Sequence, residues 1–554
     1  MKGRFTTNQL ATIASAILAL VATVCLVINH DGSHLNPDTA QALSVARNLQ
    51  QGNGFSTSII YYEEHYRLGT WPAPQTVFPI GFPTMITGLA TLGVPFRVAA
   101  FLISAAGFLF VPPLIATAAM RMGRKPATAL LLAAIWLCFS MNWGNIQESQ
   151  TDIAFTAMTL GSLLLLQHQT LKTRNLLLAG LLAAIACSLR YAGVFWLLTV
   201  GLVFAMQFVQ RQKGSARKCV VFLVIPAITM LAMFARNALL VGDIKGGNNN
   251  HFEKPFVEAA MEAYYCVSRI TGLDQDRLLS GYVAELFFAV GVAILMCCAA
   301  SCWRHYRVRN LLGIKTYRIT ANSTVMLYIA VSTAVLILLD ATTSINMSPR
   351  MYFPLIPFAL LSVADAVGRL RMACGETVGL GRSMIVLASG LIIAGLLGGQ
   401  VRSAADVASQ THRFGPIASI VGQPVESLGH VAVPRELMTD ARILTNEPHM
   451  LAEVLERGVI GLTSGKYTSR VWSDEEVLAL IRKYGVNQVV YFPDLPTEEE
   501  NPFFMSLKRL DDSREIDRAW LKPVLISEHI QIYEVQSARD AMQSKVSAIS
   551  GQRK

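Results

Sequence analysis

Apolar residues in this chain gather into long unbroken runs. LATIASAILALVATVCLVIN (10–29) carries no charge over 20 residues, enough for a helix to cross ~30 Å of hydrocarbon. Similar runs predict spans near 97–119, 127–141, 153–168, 218–240, 281–302, 323–341, 351–368 and 383–400. The run 175–210 is too long for one span, and Arg190-Tyr191 interrupts it, so it divides into two. The total is about eleven transmembrane helices. The first run is read as retained, since no small-x-small cleavage site follows it.

Polar positions between the runs orient them. RMGRK (121–125), KTR (172–174), RQKGSARK (211–218), the basic stretch 303–318 and GRLR (368–371) mark cytoplasmic loops by the positive-inside rule. FPIGFPTMITGLATLGVP (78–95) tests this scheme, because counting it as a span would place every later basic cluster outside. With Pro79, Pro83 and Pro95 it reads as an interfacial or re-entrant element within an external loop, 30–96. Composition agrees: 53% of residues are hydrophobic and 15% charged, with mean hydropathy +0.42, against about a quarter charged in soluble proteins. The net charge of +10 sits in loops, which excludes nucleic acid as its partner and leaves the lipid bilayer. The nine cysteines are scattered without a CxxC pair and read as inert buried thiols.

Beyond residue 401 the pattern shortens. RILTN, GVIGLT, NQVVYFP, PVLIS and HIQIYEV read as strands, with PHMLAEVLERG and SDEEVLALIRKYG as amphipathic helices. The chain thus divides into a helical membrane domain (1–400), a small extracytoplasmic α/β domain (401–536) and a polar tail (537–554). No Gly-rich phosphate loop is present in the α/β domain.

The stretch HLNPDTAQALSVARNLQQGNGFS (34–56) follows the first span. Asn36-Pro37-Asp38 is a helix start, with Asn as N-cap, Pro at the first helical position and Asp in the first turn. Ala42, Leu43, Ala46 and Leu49 share one face, and Gln41, Ser44, Arg47 and Asn48 the other, which predicts a helix lying flat at the membrane surface. Asp38 is either a plain helix-start residue or an acid held rigidly at the outer boundary. Glu148 and Asp152 in ESQTDIAFTAMTLGSLLLL (148–166) are spaced for an i,i+4 carboxylate pair on one helix. Arg190 and Arg350 stand at outer ends of spans, where a guanidinium either snorkels or holds an anion. Lys245 lies in a Gly/Asn-rich external loop, and Asp340 is placed to pair with Arg350. His30, Asp31 and His34 are candidate ligands for a divalent metal ion, although their spacing is not diagnostic.

Four of these features occur in an order that resembles the GT-C membrane glycosyltransferases of the protein mannosyltransferase and aminoarabinose transferase kind. They are Asp38 ahead of ARNLQQGNGF (46–55), the aromatic-proline turn FPIGFP (78–83), Asp152 heading a span, and RMYFPLIP (350–357) leading into another. FPIGFP has isoleucine where the family pattern has a second proline. The resemblance covers about 1–400 and implies transfer of a sugar from a polyprenyl-phosphate donor to a lipid, glycan or protein acceptor. The reaction would occur on the outer face of the cytoplasmic membrane, with inversion at the anomeric carbon. It implies Asp38 as base or orienter of the acceptor, and Asp152, with Glu148, as contacting the acceptor or sharing a metal with Asp38. Arg350, Arg190 and Lys245 would be donor-phosphate ligands, and Phe78, Pro79, Gly81 and Tyr352 substrate-positioning residues. A transporter or flippase is the alternative class. It would bury charges at mid-membrane and show repeated halves, whereas the span centres here are mostly uncharged and no internal repeat is visible.

Overall fold

The structure is a computed structural model. It describes residues 6–29, 36–168, 171–244, 246, 254–271, 321–343, 347–375, scattered positions within 383–400, and 441–462, 472–493, 503–504, 507, 520–526 and 530–536. Expectations for Lys245, His30, Asp31, His34, the span near 281–302 and the tail fall outside these residues. In chain order the elements are α1 (Thr7–Asn29), α2 (Pro37–Gln50), β1 (Ser56–Thr57), β2 (Ile59–Ile60), α3 (Glu63–Leu68), β3 (Ala73–Pro74), α4 (Gly81–Ala90), α5 (Phe96–Arg121), α6 (Pro126–Leu137), α7 (Ser140–Gln147), α8 (Asp152–Leu166), α9 (Thr173–Leu189), α10 (Gly193–Val209), α11 (Ser215–Val241), α12 (Phe256–Thr271), α13 (Ala321–Thr342), α14 (Pro349–Tyr352), a 3-10 turn (Phe353–Leu355), α15 (Ile356–Gly375), β4 (Ile443–Thr445), α16 (Pro448–Leu455), β5 (Val459–Gly461), α17 (Asp474–Tyr484), β6 (Gln488–Tyr491), β7 (Leu521–Ile526) and β8 (Gln531–Val535). They form two compact units, one from Met1–His30, Phe101–Met233 and Phe252–Gln410, the other from Asp31–Ala100, Phe234–His251 and Thr411–Lys554.

The first unit is helical. Among the described residues of the chain, five helices are long and apolar enough to cross a membrane, or six if α6 and α7, bent by 54°, count as one. α8, α9 and α10 are shorter apolar helices. α9 ends at Leu189, and Arg190 is extended (φ −147°, ψ 135°), so the long run breaks at the arginine. Apolar side chains stay exposed on α1 (Ile17 55%, Val21 56%, Ile28 76%), a surface that suits lipid better than water. Inside, Trp196 meets Tyr328 edge-on at 5.2 Å, and Tyr328 meets Phe358 at 4.7 Å. In a bilayer such packing and close helix approach supply the cohesion. Gly107 permits one such approach, since a Cβ there would lie 2.7 Å from the Ala154 backbone nitrogen.

The second unit is α/β. Its six-stranded sheet has the order β2-β5-β4-β6-β8-β7, parallel from β2 to β6 and antiparallel through β8 and β7. The first external loop supplies the edge strand β2, with Ile59 opposite Val459 and Ile60 opposite Ile460. The same loop docks α3: the Tyr484 hydroxyl donates to the His65 carbonyl at 2.6 Å, and Lys483 Nζ to the Tyr66 carbonyl at 2.6 Å. The division at residue 401 is therefore corrected, because the C-terminal strands and the first loop share one sheet.

The role expected for the polar face of α2 is corrected as well. Gln41, Ser44 and Asn48 are buried, their amide and hydroxyl groups bonded to residues 56–59. Arg47 forms a two-pronged pair with buried Glu453 at 2.7 and 2.9 Å, and Arg97 joins it at 3.3 Å. That face is covered by protein: Gln41 Nε2, Ser44 Oγ and Asn48 Nδ2 bond to residues 56–59, and Arg47 bonds to a carboxylate on α16. α4 has ten residues, about 15 Å of helix, half a bilayer core.

Candidate active site

The first unit brings three of the candidate residues together. Asp152 is 0% exposed at the first position of α8. Arg190 Nη1 donates to its Oδ1, and Arg350 Nε to its Oδ2 at 2.8 Å. Each arginine side chain is about a fifth exposed (22% and 21%). The sequence builds this from three breaks. Ser149 takes a left-handed turn (φ 54°), which ends α7 and lets α8 restart at Asp152. Arg190 lies in the break between α9 and α10, and Pro349 starts α14. Ser104 Oγ donates to the Gln150 carbonyl at 2.7 Å, fixing the approach to α8.

Two expectations change here. Glu148 and Asp152 do not form an i,i+4 pair, because the left-handed Ser149 separates their helices; Glu148 accepts instead from Gln150 Nε2. Arg350 pairs with Asp152 and not with Asp340, which bonds Lys254 Nζ at 2.7 Å. Asp152 thus gathers two guanidinium forks at one point, and such forks match the geometry of a phosphate or carboxylate. Among the described residues no group of three or more His, Cys, Asp or Glu could hold a metal ion.

Tyr352, on the same short helix as Arg350, is 3% exposed, and its phenol oxygen has no hydrogen-bond partner among the described residues. Lys254, Glu262 and Asp340 form a second ionic cluster, with Glu262 2.7 Å from the same Lys254 Nζ. Sequence reading missed Lys254 and Glu262, because they lie about 80 residues before Asp340 and no local spacing links them.

The second unit holds Asp38, Phe78, Pro79 and Gly81. Asn36 Oδ1 accepts the Asp38 backbone N–H at 3.0 Å, and Asp38 is half-buried. Its carboxylate is close enough to the His449 imidazole to oppose the effect of burial, which pushes that group down to about 4. His65 is driven lower, to about 3, by burial and then by His449, while Gln75 opposes. Burial raises the Glu64 carboxyl to about 7. Phe78 packs edge-on against Tyr62 at 5.8 Å, and Gly81 begins α4. Asp38 and Asp152 thus belong to different units.

No family model matches the chain, and no curated protein matches it. Solved structures do. The crystal structure of ArnT from Cupriavidus metallidurans bound to undecaprenyl phosphate is 14% identical, with a TM-score of 0.56, over 95% of this chain and 98% of that one. The apo form of that protein also has a TM-score of 0.56. The oligosaccharyltransferase AglB from Archaeoglobus fulgidus, in complex with an inhibitory peptide and a dolichol-phosphate, is 12% identical, with a TM-score of 0.50, over 87% of this chain and 69% of that one. All are GT-C membrane glycosyltransferases. With its apolar helices and α/β unit covered together by the ArnT likeness, the chain has the GT-C fold.

Proposed function

We propose that the chain is a membrane glycosyltransferase that moves a sugar from a polyprenyl-phosphate donor to an acceptor on the outer face of the cytoplasmic membrane. The observation that carries this reading is the buried Asp152 bridging Arg190 and Arg350 in a fold shared with proteins that hold undecaprenyl phosphate and dolichol-phosphate. The donor already carries its leaving group, so the protein must hold a phosphate, activate an acceptor and align the two. A pair of guanidinium forks supplies the first.

Both Asp152 oxygens accept from arginine, so its task is to hold the two forks, in place of the acceptor contact or shared metal implied by resemblance. Asp38 activates or orients the acceptor hydroxyl or amine. Its place in the first turn of α2, behind the Asn36 cap, holds the carboxylate on a rigid element. Lys245 serves as a further phosphate ligand, and Phe78, Pro79 and Gly81 shape the first loop around the substrate. The sugar leaves the lipid phosphate as the acceptor oxygen or nitrogen bonds to the anomeric carbon. The acceptor proton passes to Asp38, and no enzyme-bound sugar is required.

Membranes containing the full chain, given a panel of radiolabelled polyprenyl-phosphate sugars, test this. Label appearing in a new covalent product supports transfer. Label that crosses the bilayer with its sugar-phosphate bond intact identifies a flippase and overturns the reading.

A further inference from the structure

We propose that Asp340, Glu262, Lys254 and Tyr352 form a subsite in the first unit that takes the hydroxylated sugar ring of the donor. This rests on the glycosyltransferase reading above and assigns the part of the donor that the arginines do not hold.

Asp340 lies near the end of α13 and is 1% exposed. Its Oδ1 is occupied, accepting from Lys254 Nζ at 2.7 Å and from the Met347 backbone N–H at 3.2 Å. Its Oδ2 is buried with no hydrogen-bond partner among the described residues, as is the Tyr352 hydroxyl. Tyr352 is within electrostatic reach of Asp340 and of Cys266 on α12, and α14 packs against α12. A carboxylate oxygen and a phenol left without partners in one buried neighbourhood are costly unless something meets them.

Charge and hydrogen-bond capacity define what that something is. Two carboxyl groups share the one ammonium, so the cluster keeps no free cation for a phosphate. The unmet groups are an acceptor (Asp340 Oδ2) and a group that both donates and accepts (Tyr352 OH). A sugar hydroxyl donates to the first and exchanges a hydrogen bond with the second. α14 links the two clusters: Arg350 and Tyr352 are two residues apart and leave the helix on opposite sides, one toward Asp152 and the other toward α12. The donor thus meets cationic and hydroxyl-binding groups from one helical turn.

The test uses the full chain in phospholipid nanodiscs and two probes, bare polyprenyl phosphate and polyprenyl phosphate carrying a hexose or pentose. Tyr352→Phe removes one hydroxyl, and Asp340→Asn removes one negative charge at constant shape. We expect each variant to bind the loaded carrier about tenfold more weakly, the scale of one lost hydrogen bond, with the bare carrier bound as by wild type. Retained bare-carrier binding also reports an intact fold. Equal losses on both probes, or no loss on either, would overturn the subsite while leaving the functional reading standing. A wild-type chain that binds neither probe would overturn the functional reading and the subsite with it.

Discussion

Asp152→Ala removes a fully buried carboxylate from between two guanidiniums that keep about a fifth of their surface (22% and 21%). Breaking a buried ion pair by deleting one partner costs ~3–5 kcal/mol, because the remaining charge is left uncompensated. The residual exposure of the arginines allows partial rehydration, which places the loss near the low end, about 3 kcal/mol, or roughly a hundredfold in the folding equilibrium. Chemical unfolding in detergent, followed by tryptophan fluorescence, measures it. The double variant Asp152→Ala/Arg190→Met is the informative comparison. It removes one stranded charge and fills the space with an apolar chain, so it should regain part of the loss, about 1–2 kcal/mol. A single variant within about 0.5 kcal/mol of wild type, the range of surface substitutions, or a double variant less stable than the single one, would refute the view of Asp152 as the counter-ion holding both forks.

Three further expectations concern the scaffold. Acid should open the second unit: His65 and His449 stay neutral when folded but protonate near 6.5 when unfolded, whereas folded Glu64 already holds a proton that the unfolded chain takes up only near 4.5. Between pH 6.5 and 4.5 the unfolded state therefore binds one net proton more, and stability falls by roughly 1.4 kcal/mol per pH unit. Hydrogen exchange of peptides covering 55–62 and 441–462 should accelerate over that window, and unchanged protection down to pH 4.5 would contradict it. Gly107→Leu should destabilise by ~1–3 kcal/mol or more, since even a Cβ would strike the α8 backbone, and bare-carrier binding should fall with it; a silent substitution would show that α5 and α8 do not approach closely. Glu453→Gln should weaken the Arg47–Arg97 clamp by about 3 kcal/mol and speed protease cleavage within 51–62; an unchanged cleavage rate would mean that the clamp does not hold the loop.

Local chemistry was readable in the sequence, and distant partnerships were not. Asn36-Pro37-Asp38 announces a helix start through capping chemistry alone, and the structure begins α2 there. The break at Arg190 and the shortness of α4 follow from a charge and from prolines. β2 was invisible, because two residues (Ile59–Ile60) are too few for a period-two pattern and become a strand only by pairing with β5. The same cause misled the reading of α2: its polar face looked water-facing until the sheet edge that covers it was located. The Glu148–Asp152 pairing failed at one residue, Ser149, whose left-handed backbone no side-chain pattern signals. Asp340 was assigned the nearest arginine in sequence, whereas its cation, Lys254, comes from the far side of a long connection.

Transfer by Asp38→Asn, measured beside wild type in the same membranes, bears most directly on the proposed chemistry. The substitution keeps the shape and the helix start but removes the proton acceptor. We expect wild-type membranes to move labelled sugar from a polyprenyl phosphate into product, and Asp38→Asn to do so ~10²–10⁴ times more slowly, the usual contribution of a general base, with bare-carrier binding unchanged. Equal rates in the two would reduce Asp38 to a helix start and contradict the assignment.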